Sequence, residues 1–218
     1  MSMLAVMSPV KPPRTRPTRP EVRDRILDAA SKVFAAEGFA GATIDAIGQA
    51  AGFTKGAVYS NFGSKDELFL TLLDREFGVR GERIATALDS GDGDTVATAR
   101  ALSRSVLEGV QARADYHVLF VEYWLRAMRD PNLRERLIAR RRAAVEQAAQ
   151  VVGQTATMAP GRRLADLAQL VVSINLGIGM EEVLRPGTVD PDLLTQLIAG
   201  LLESASVTPA RPHRETDS

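Results

Sequence analysis

The sequence predicts an all-α fold, a small N-terminal helical unit followed by a larger C-terminal helical bundle. Three observations carry this. Apolar residues recur at the 3.6-residue spacing of one helix face through nearly the whole chain, and the strict alternation of a half-buried strand appears nowhere. Helix starts are marked by Ser64-Lys65-Asp66-Glu67 and by two Asp-Pro pairs, Asp130-Pro131 and Asp190-Pro191. Glycines at 38, 52 and 91 stand where the periodic runs end.

The elements follow in order. Residues 8–20 hold five prolines interleaved with Lys11, Arg14, Arg16 and Arg19, and the first twenty residues contain no acid. They read as a disordered basic arm over 1–19. Val22, Ile26, Ala29, Ala30, Val33 and Phe34 define a first helix over about 21–37, closed by Gly38-Phe39. Thr43 caps a short second helix carrying Ile44, Ile47 and Ala51, and Gly52 breaks it. Thr54 caps a third helix that ends near Asn61. In the Ser64–Glu67 capping box each side chain would satisfy the other residue's free amide, which starts a long fourth helix. Beyond the turn Ser90–Asp94, helices are expected near 94–112, 115–129, 131–152, 163–184 and 191–204, and residues 206–218 form a polar, disordered tail. The domain boundary is placed at about residue 80.

Composition excludes several function classes. The chain has 218 residues and no cysteine, which removes disulfide scaffolds, zinc ribbons and thiol nucleophiles. Only two histidines are present, and no spacing resembles a metal site, a phosphate loop or a nucleophile with its base, so no metal, cofactor or catalytic residue is assigned. Asp89–Asp94 lacks the ligand spacing and distal glutamate of a calcium loop. The longest uncharged run in the C-terminal part, Leu167–Met180, has 14 residues and is too short to span a bilayer core of about 30 Å. The uncharged leader precedes the basic residues, the reverse of a secretory signal, so a cytoplasmic protein is expected. The 27 basic and 27 acidic side chains cancel, but unevenly: residues 1–80 carry 11 basic and 9 acidic groups, net +2, and 81–218 carry 16 and 18, net −2.

Residues 43–62 have the layout of a helix-turn-helix, with Ile44, Ile47 and Val58 placed to hold the two helices together across a glycine turn. In such a unit the second helix enters the major groove of double-stranded DNA with its exposed N-terminal residues on base edges. Those residues are Thr54, Lys55 and Gly56, with Tyr59, Ser60 and Asn61 a turn later. Hydroxyls and amides contact bases or phosphates, a lysine neutralises phosphate or reads guanine, and a glycine admits close backbone approach. A helical hairpin without a ligand would share the apolar spacing; the exposed polar clusters favour the DNA reading. Arg14, Arg16 and Arg19 of the arm are either a solvated leader or further DNA contacts that follow the phosphates or the minor groove.

The order Thr43, Ile47, Ala50-Ala51-Gly52, Thr54-Lys55-Gly56, Val58-Tyr59, Phe62, Ser64-Lys65-Asp66-Glu67-Leu68, with Gly38-Phe39 ahead of it, resembles the DNA-binding domain of the tetracycline-repressor-like (TetR) family over about residues 20–80. Gly48 departs from the family's usual alanine, at about 1 kcal/mol of helix propensity, and Phe53 from its small aliphatic residue. The resemblance implies that Tyr59 and Lys65 grip phosphates and that Thr43 adds a backbone contact. It further implies a homodimer through the helices near 163–184 and 191–204, a ligand-binding and dimerisation domain over 81–205, a palindromic operator, and release by a small-molecule effector. The apolar surplus of those two helices independently favours a helix-helix interface. Residues 120–131 also resemble a betaine-regulator-like C-terminal subtype.

Tyr116, His117, Phe120, Tyr123, Trp124 and Met128 gather much of the aromatic content on one helix, and both a core and an effector pocket remain open for them; Asn175 is a further candidate pocket residue. Arg140-Arg141-Arg142 reads as a solvated helix face. An enzyme built around His117, Glu122 and Tyr123 is the competing class, and an activator or a ligand-independent DNA-binding adaptor is a third.

Overall fold

Local capping chemistry sets most of the helix starts. The computed structural model describes residues 17–91, 93–157, 164–204 and 208–209. Its helices are α1 (Arg19–Gly41), α2 (Ile44–Ala51), α3 (Lys55–Phe62), α4 (Lys65–Asp89), α5 (Thr95–Ala112), α6 (Ala114–Arg129), α7 (Pro131–Thr155), α8 (Leu164–Leu184) and α9 (Pro191–Ser204). Ala156–Thr157 (β1) pairs antiparallel with Thr208–Pro209 (β2), the one strand pairing among the described residues. Thr43, Thr54 and Asp94 cap α2, α3 and α5 with their side chains. Asp130 and Asp190 do the same for α7 and α9, accepting from Asn132 N at 2.9 Å and Asp192 N at 2.8 Å.

Two starts differ from expectation. Thr18 and Glu21 form a reciprocal capping box, so α1 begins at Arg19, and that arginine belongs to a first helical turn rather than to the arm. Arg14 and Arg16 lie outside the described residues. At α4 half of the expected box forms: Ser64 accepts from Glu67 N at 3.0 Å. The Glu67 carboxylate turns away to Arg136 and, at 3.0 Å, Arg140 on α7, because two guanidinium groups bind a carboxylate more strongly than one amide does. Arg140 also reaches Asp74, and half-buried Arg141 lies 5.4 Å from the Phe120 ring centroid. The Arg140–Arg142 run is therefore corrected from a solvated face to a seam between α7 and the helices beneath it; only Arg142 remains on the exposed side.

Gly38, at φ +69°, bends α1 before its last turn. Just beyond the bend, Phe39 joins Phe34, Phe69 and Tyr123 in an aromatic cluster with ring centroids 4.6–5.7 Å apart. Edge-on and offset contacts of this kind add about 0.5–1.5 kcal/mol per pair to the burial itself. The cluster draws on α1, α4 and α6, so the N-terminal and C-terminal parts share one core. The boundary expected at residue 80 falls inside α4. A smaller cluster, Ala87, Leu88 and Leu102 with Ile198 and Leu202, ties α4 and α5 to α9. On α8 and α9 the surplus apolar residues face outward: Leu184 is 81% and Leu193 65% exposed, with Leu170, Met180 and Leu197 also open.

Candidate functional site

The helix-turn-helix is held from within by buried Ile44, Ile47, Ala51, Val58 and Phe62. Gly52 closes α2 at φ +75°, and the turn folds back so that Phe53 N donates to Gly48 O at 2.8 Å. A β-carbon at Gly48 would stand 3.0 Å from the Phe53 carbonyl oxygen. The departure from alanine is thus matched by a close backbone approach that a β-carbon would crowd. Arg25 steadies the same turn, donating to Ala51 O at 3.0 Å with its guanidinium over the Phe53 ring. That contact gives Phe53 a partner.

At the front of α3, Thr54, Lys55, Gly56, Tyr59 and Ser60 are exposed together, with the Lys55 ammonium 6.0 Å from the Tyr59 ring centroid. The Thr54 and Thr43 hydroxyls accept the free amides of Ala57 and Ala46 and stay on the surface. Two expected DNA contacts are placed differently. Asn61 turns inward: its Nδ2 donates to Ala57 O at 2.8 Å, its Oδ1 is buried, and its carbonyl receives Arg23. Lys65 points its ammonium at the end of α1, donating to Phe39 O at 2.7 Å and Ala42 O at 2.8 Å, with Ala40 O at 3.4 Å. A helix C-terminus carries partial negative charge and unpaired carbonyls, which accounts for the attraction. Desolvation, followed by the nearby Arg126 charge, lowers the Lys65 pKa from its ordinary value.

Sequence reasoning assigned Glu122 only to the competing enzyme. The structure puts its carboxylate, carried by α6, on two backbone amides beyond the α1 bend, Phe39 N at 2.8 Å and Ala40 N at 3.0 Å. The segment 38–42 is clamped by Glu122 from α6 and by Lys65 from α4, and it runs directly into Thr43, the cap of α2.

The C-terminal part encloses a cavity of about 210 Å³ walled by α4, α5, α7, α8 and α9. Of the expected pocket residues, Asn175 lines it. The others are corrected: Tyr116, Phe120 and Tyr123 are core residues facing α1 and α4, while Trp124 and Met128 are 43% and 39% exposed. The broad aromatic face of α6 is used to join the two parts of the molecule. His117 is buried against α8, where a β-carbon on Gly179 would come within 2.1 Å of its ring. Its Nδ1 lies 3.2 Å from Arg113 O and its Nε2 3.4 Å from Arg80 Nη2. A carbonyl only accepts and a guanidinium only donates, so the partners select the neutral ring protonated at Nδ1. Burial, then the Arg80 charge, lowers the His117 pKa in the same sense. Arg80 itself had a sequence signal: it interrupts the apolar stripe Phe77–Ile84 at a core-facing position.

Residues 26–72 match the family described as bacterial regulatory proteins, tetR family, and residues 96–206 match the C-terminal domain of BetI-type transcriptional repressors. The chain is 49% identical over 53 residues to the HTH-type transcriptional regulator SrpR of Pseudomonas putida, covering 24% of this chain and 25% of that protein. It is 35% identical over 63 residues to the HTH-type transcriptional repressor AcnR of Corynebacterium efficiens, covering 29% and 34%. The matched stretches thus span about a quarter to a third of these relatives. The solved structure of the fatty acid degradation regulator FadR from Bacillus halodurans superposes with a TM-score of 0.61 at 18% identity, over 83% of this chain and 94% of that one, and shares the fold. Among the described residues no helix is long and apolar enough to cross a membrane. With both the helix-turn-helix and the C-terminal bundle matched, the chain belongs to the TetR family of helix-turn-helix transcriptional regulators.

Proposed function

We propose that the protein represses transcription in the cytoplasm, binding a palindromic operator as a homodimer and leaving it when a small molecule fills the cavity. The observation that carries this reading is the continuous connection from the exposed face of α3 to the cavity. α4 holds the α1 bend with Lys65 at one end and lines the cavity with Arg80 fifteen residues later, about 22 Å along the helix. α6 touches Arg80 through His117 and holds the same bend through Glu122, five residues on. A displacement of either helix at the cavity therefore bears on the segment that leads into α2. The outward leucines of α8 and α9 supply the apolar face a dimer needs, and two-fold symmetry places the recognition helices about 34–36 Å apart on half-sites one helical turn apart. The relatives named as regulators and repressors support the repressing role.

The test is titration of labelled duplexes from the region upstream of its own gene with the purified protein at several salt concentrations. One duplex should be bound at a ratio of two chains per site, and failure to bind any of them at low salt would sink the reading. Lys55→Ala should lower the slope of log affinity against log salt by about 1 or change base preference. Lys65→Met should weaken binding with the slope unchanged, because it loosens the α1 bend; a slope lowered by about 1 with unchanged thermal stability would instead return Lys65 to a phosphate.

A further inference from the structure

The cavity wall is mostly apolar, with Glu76, Arg80, Arg83 and Arg113 as its charged members, and Arg80 stands where α4 faces α8. There Arg80 donates through Nη1 to Asn175 Oδ1 at 3.1 Å and through Nη2 to His117 Nε2 at 3.4 Å, with its guanidinium carbon 4.5 Å from the Tyr116 ring centroid. All of these partners are uncharged. Asn175 is an amide, the His117 tautomer is neutral, and burial pushes the Tyr116 hydroxyl up to about 12. The carboxylate one turn away, Glu76, is taken by Arg113 at 2.5 Å, and Arg83 on the same wall has Glu108 at 3.8 Å. Among the described residues Arg80 has no acid within ion-pair distance. Asn175 accepts with its oxygen, which leaves the two N–H groups of its Nδ2 without a protein partner among the described residues. A half-buried guanidinium without a counter-charge is costly. Beside it the cavity offers room for the missing anion.

We propose that the cavity takes a small apolar carboxylic acid as its anion, with Arg80 pairing the carboxylate and the Asn175 amide donating to it. This rests on reading the cavity as the effector site and adds the chemistry of the effector. The size follows from volume: an apolar cavity of about 150 Å³ holds benzene, so 210 Å³ suits a carboxylate carried on a short alkyl chain or a substituted ring. A quaternary ammonium compound is the opposite case. It would meet Arg80 and Arg83, and among the described residues Phe77 is the single aromatic side chain on the wall, too few for an aromatic cage.

The experiment is calorimetric titration of the full-length protein with octanoate, 4-propylbenzoate, octan-1-ol and octyltrimethylammonium, repeated on Arg80→Met and Arg80→Lys. At least one carboxylate should bind about tenfold or more tighter than the alcohol and the ammonium compound, as a charge-assisted pair requires. In Arg80→Met that carboxylate-to-alcohol ratio should fall to about one with the alcohol little affected, and Arg80→Lys should restore part of it. A merely structural role for Arg80 would weaken all ligands alike and leave the ratio in place. Two results overturn the carboxylate assignment while the effector reading stands: the alcohol or ammonium compound binding as tightly as both carboxylates and releasing operator DNA, or a ratio retained in Arg80→Met. Arg80-dependent carboxylate binding that leaves DNA affinity unchanged refutes the effector reading and keeps the carboxylate site. No binding by any of the four refutes both.

Discussion

Replacing Glu122 by alanine should cost about 2–3 kcal/mol of stability and weaken DNA binding without altering its salt dependence. The carboxylate accepts two backbone amides, at 2.8 and 3.0 Å, and hydrogen bonds to a charged group contribute about 1.5–3 kcal/mol each when desolvated. Phe39 N is partly buried and its amide would be left without a partner, so that bond contributes close to the full amount. Ala40 N is exposed, and water replaces much of the second bond. For a chain of this length about 2–3 kcal/mol lowers the melting temperature by roughly 5–10 °C. Glu122→Gln keeps one acceptor oxygen and loses the charge, for about 1 kcal/mol. The assay is urea unfolding followed by the fluorescence of Trp124, the chain's one tryptophan, which lies two residues away on α6. Glu135, exposed on α7, is the control and should shift stability by less than about 0.5 kcal/mol when changed to alanine. Since Glu122 touches no phosphate in this reading, the salt slope of DNA binding should match the wild type. A Glu122→Ala protein as stable as the Glu135→Ala control would refute the clamp.

Gly38→Ala should destabilise by more than the roughly 1 kcal/mol set by its φ of +69°, because the added β-carbon stands 3.0 Å from Glu122 Oε2. In a Glu122→Ala background the steric part should vanish, and a double-mutant cycle showing strict additivity would disprove the contact. Gly179→Ala drives a β-carbon to within 2.1 Å of His117 and should cost about 1–3 kcal/mol, largely recovered by adding His117→Ala; failure of that rescue argues against the packing. Unfolded, His117 takes up a proton below about pH 6.5, whereas burial and then Arg80 keep it neutral in the fold to lower pH. Stability contributed by the neutral ring is therefore lost as pH falls through that window. Between about pH 7.5 and 5.5 the wild type should lose more stability than His117→Asn does, and equal losses would contradict the assignment.

The elements were legible where the physics is local. Thr43, Thr54, Ser64, Asp130 and Asp190 cap their helices because a side-chain oxygen meets an amide two or three residues ahead, and Gly52 stops α2 because a left-handed residue closes a helix within one turn. The apolar spacing within 43–62 identified the helix-turn-helix for the same reason. What escaped the sequence is pairing across long separations. Arg140 looked solvated because its own helix is polar around it, yet Glu67 and Asp74 lie 73 and 66 residues away. The α6 aromatics showed the spacing of a buried face, but spacing cannot say whether a face borders a core or a cavity; Phe39 and Phe69 decide it. Lys65 was assigned its family's phosphate role, and its carbonyl partners come from the end of α1, visible only once the bend at Gly38 is placed.

These internal partners also sharpen the meaning of the neutral charge. Of the 11 basic side chains in residues 1–80, five are engaged within the fold: Arg23 on Asn61 O, Arg25 on Ala51 O, Lys65 on the α1 carbonyls, Arg75 on Asp28 at 2.7 Å, and Arg80 at the cavity. Among the described residues the remaining three are Arg19, Lys32 and Lys55; Lys11, Arg14 and Arg16, in the proline-rich sequence ahead of α1, lie outside the described residues. If the arm follows phosphates or the minor groove, as basic N-terminal arms do, about half of the electrostatic contact per protomer comes from it. Each phosphate neutralised contributes about 0.9 to the salt slope. Changing Lys11, Arg14 and Arg16 together to alanine should then lower that slope by roughly 2–3 per protomer and weaken binding to operator and random duplex alike, with the thermal midpoint unchanged. A slope equal to the wild type would mean that the arm stays off the DNA, leaving Arg19, Lys55, the exposed Tyr59 and Ser60 and the helix N-termini at Thr43 and Thr54 to make the polar contact. Sequence discrimination would in that case depend still more on the two-fold spacing of the α3 helices.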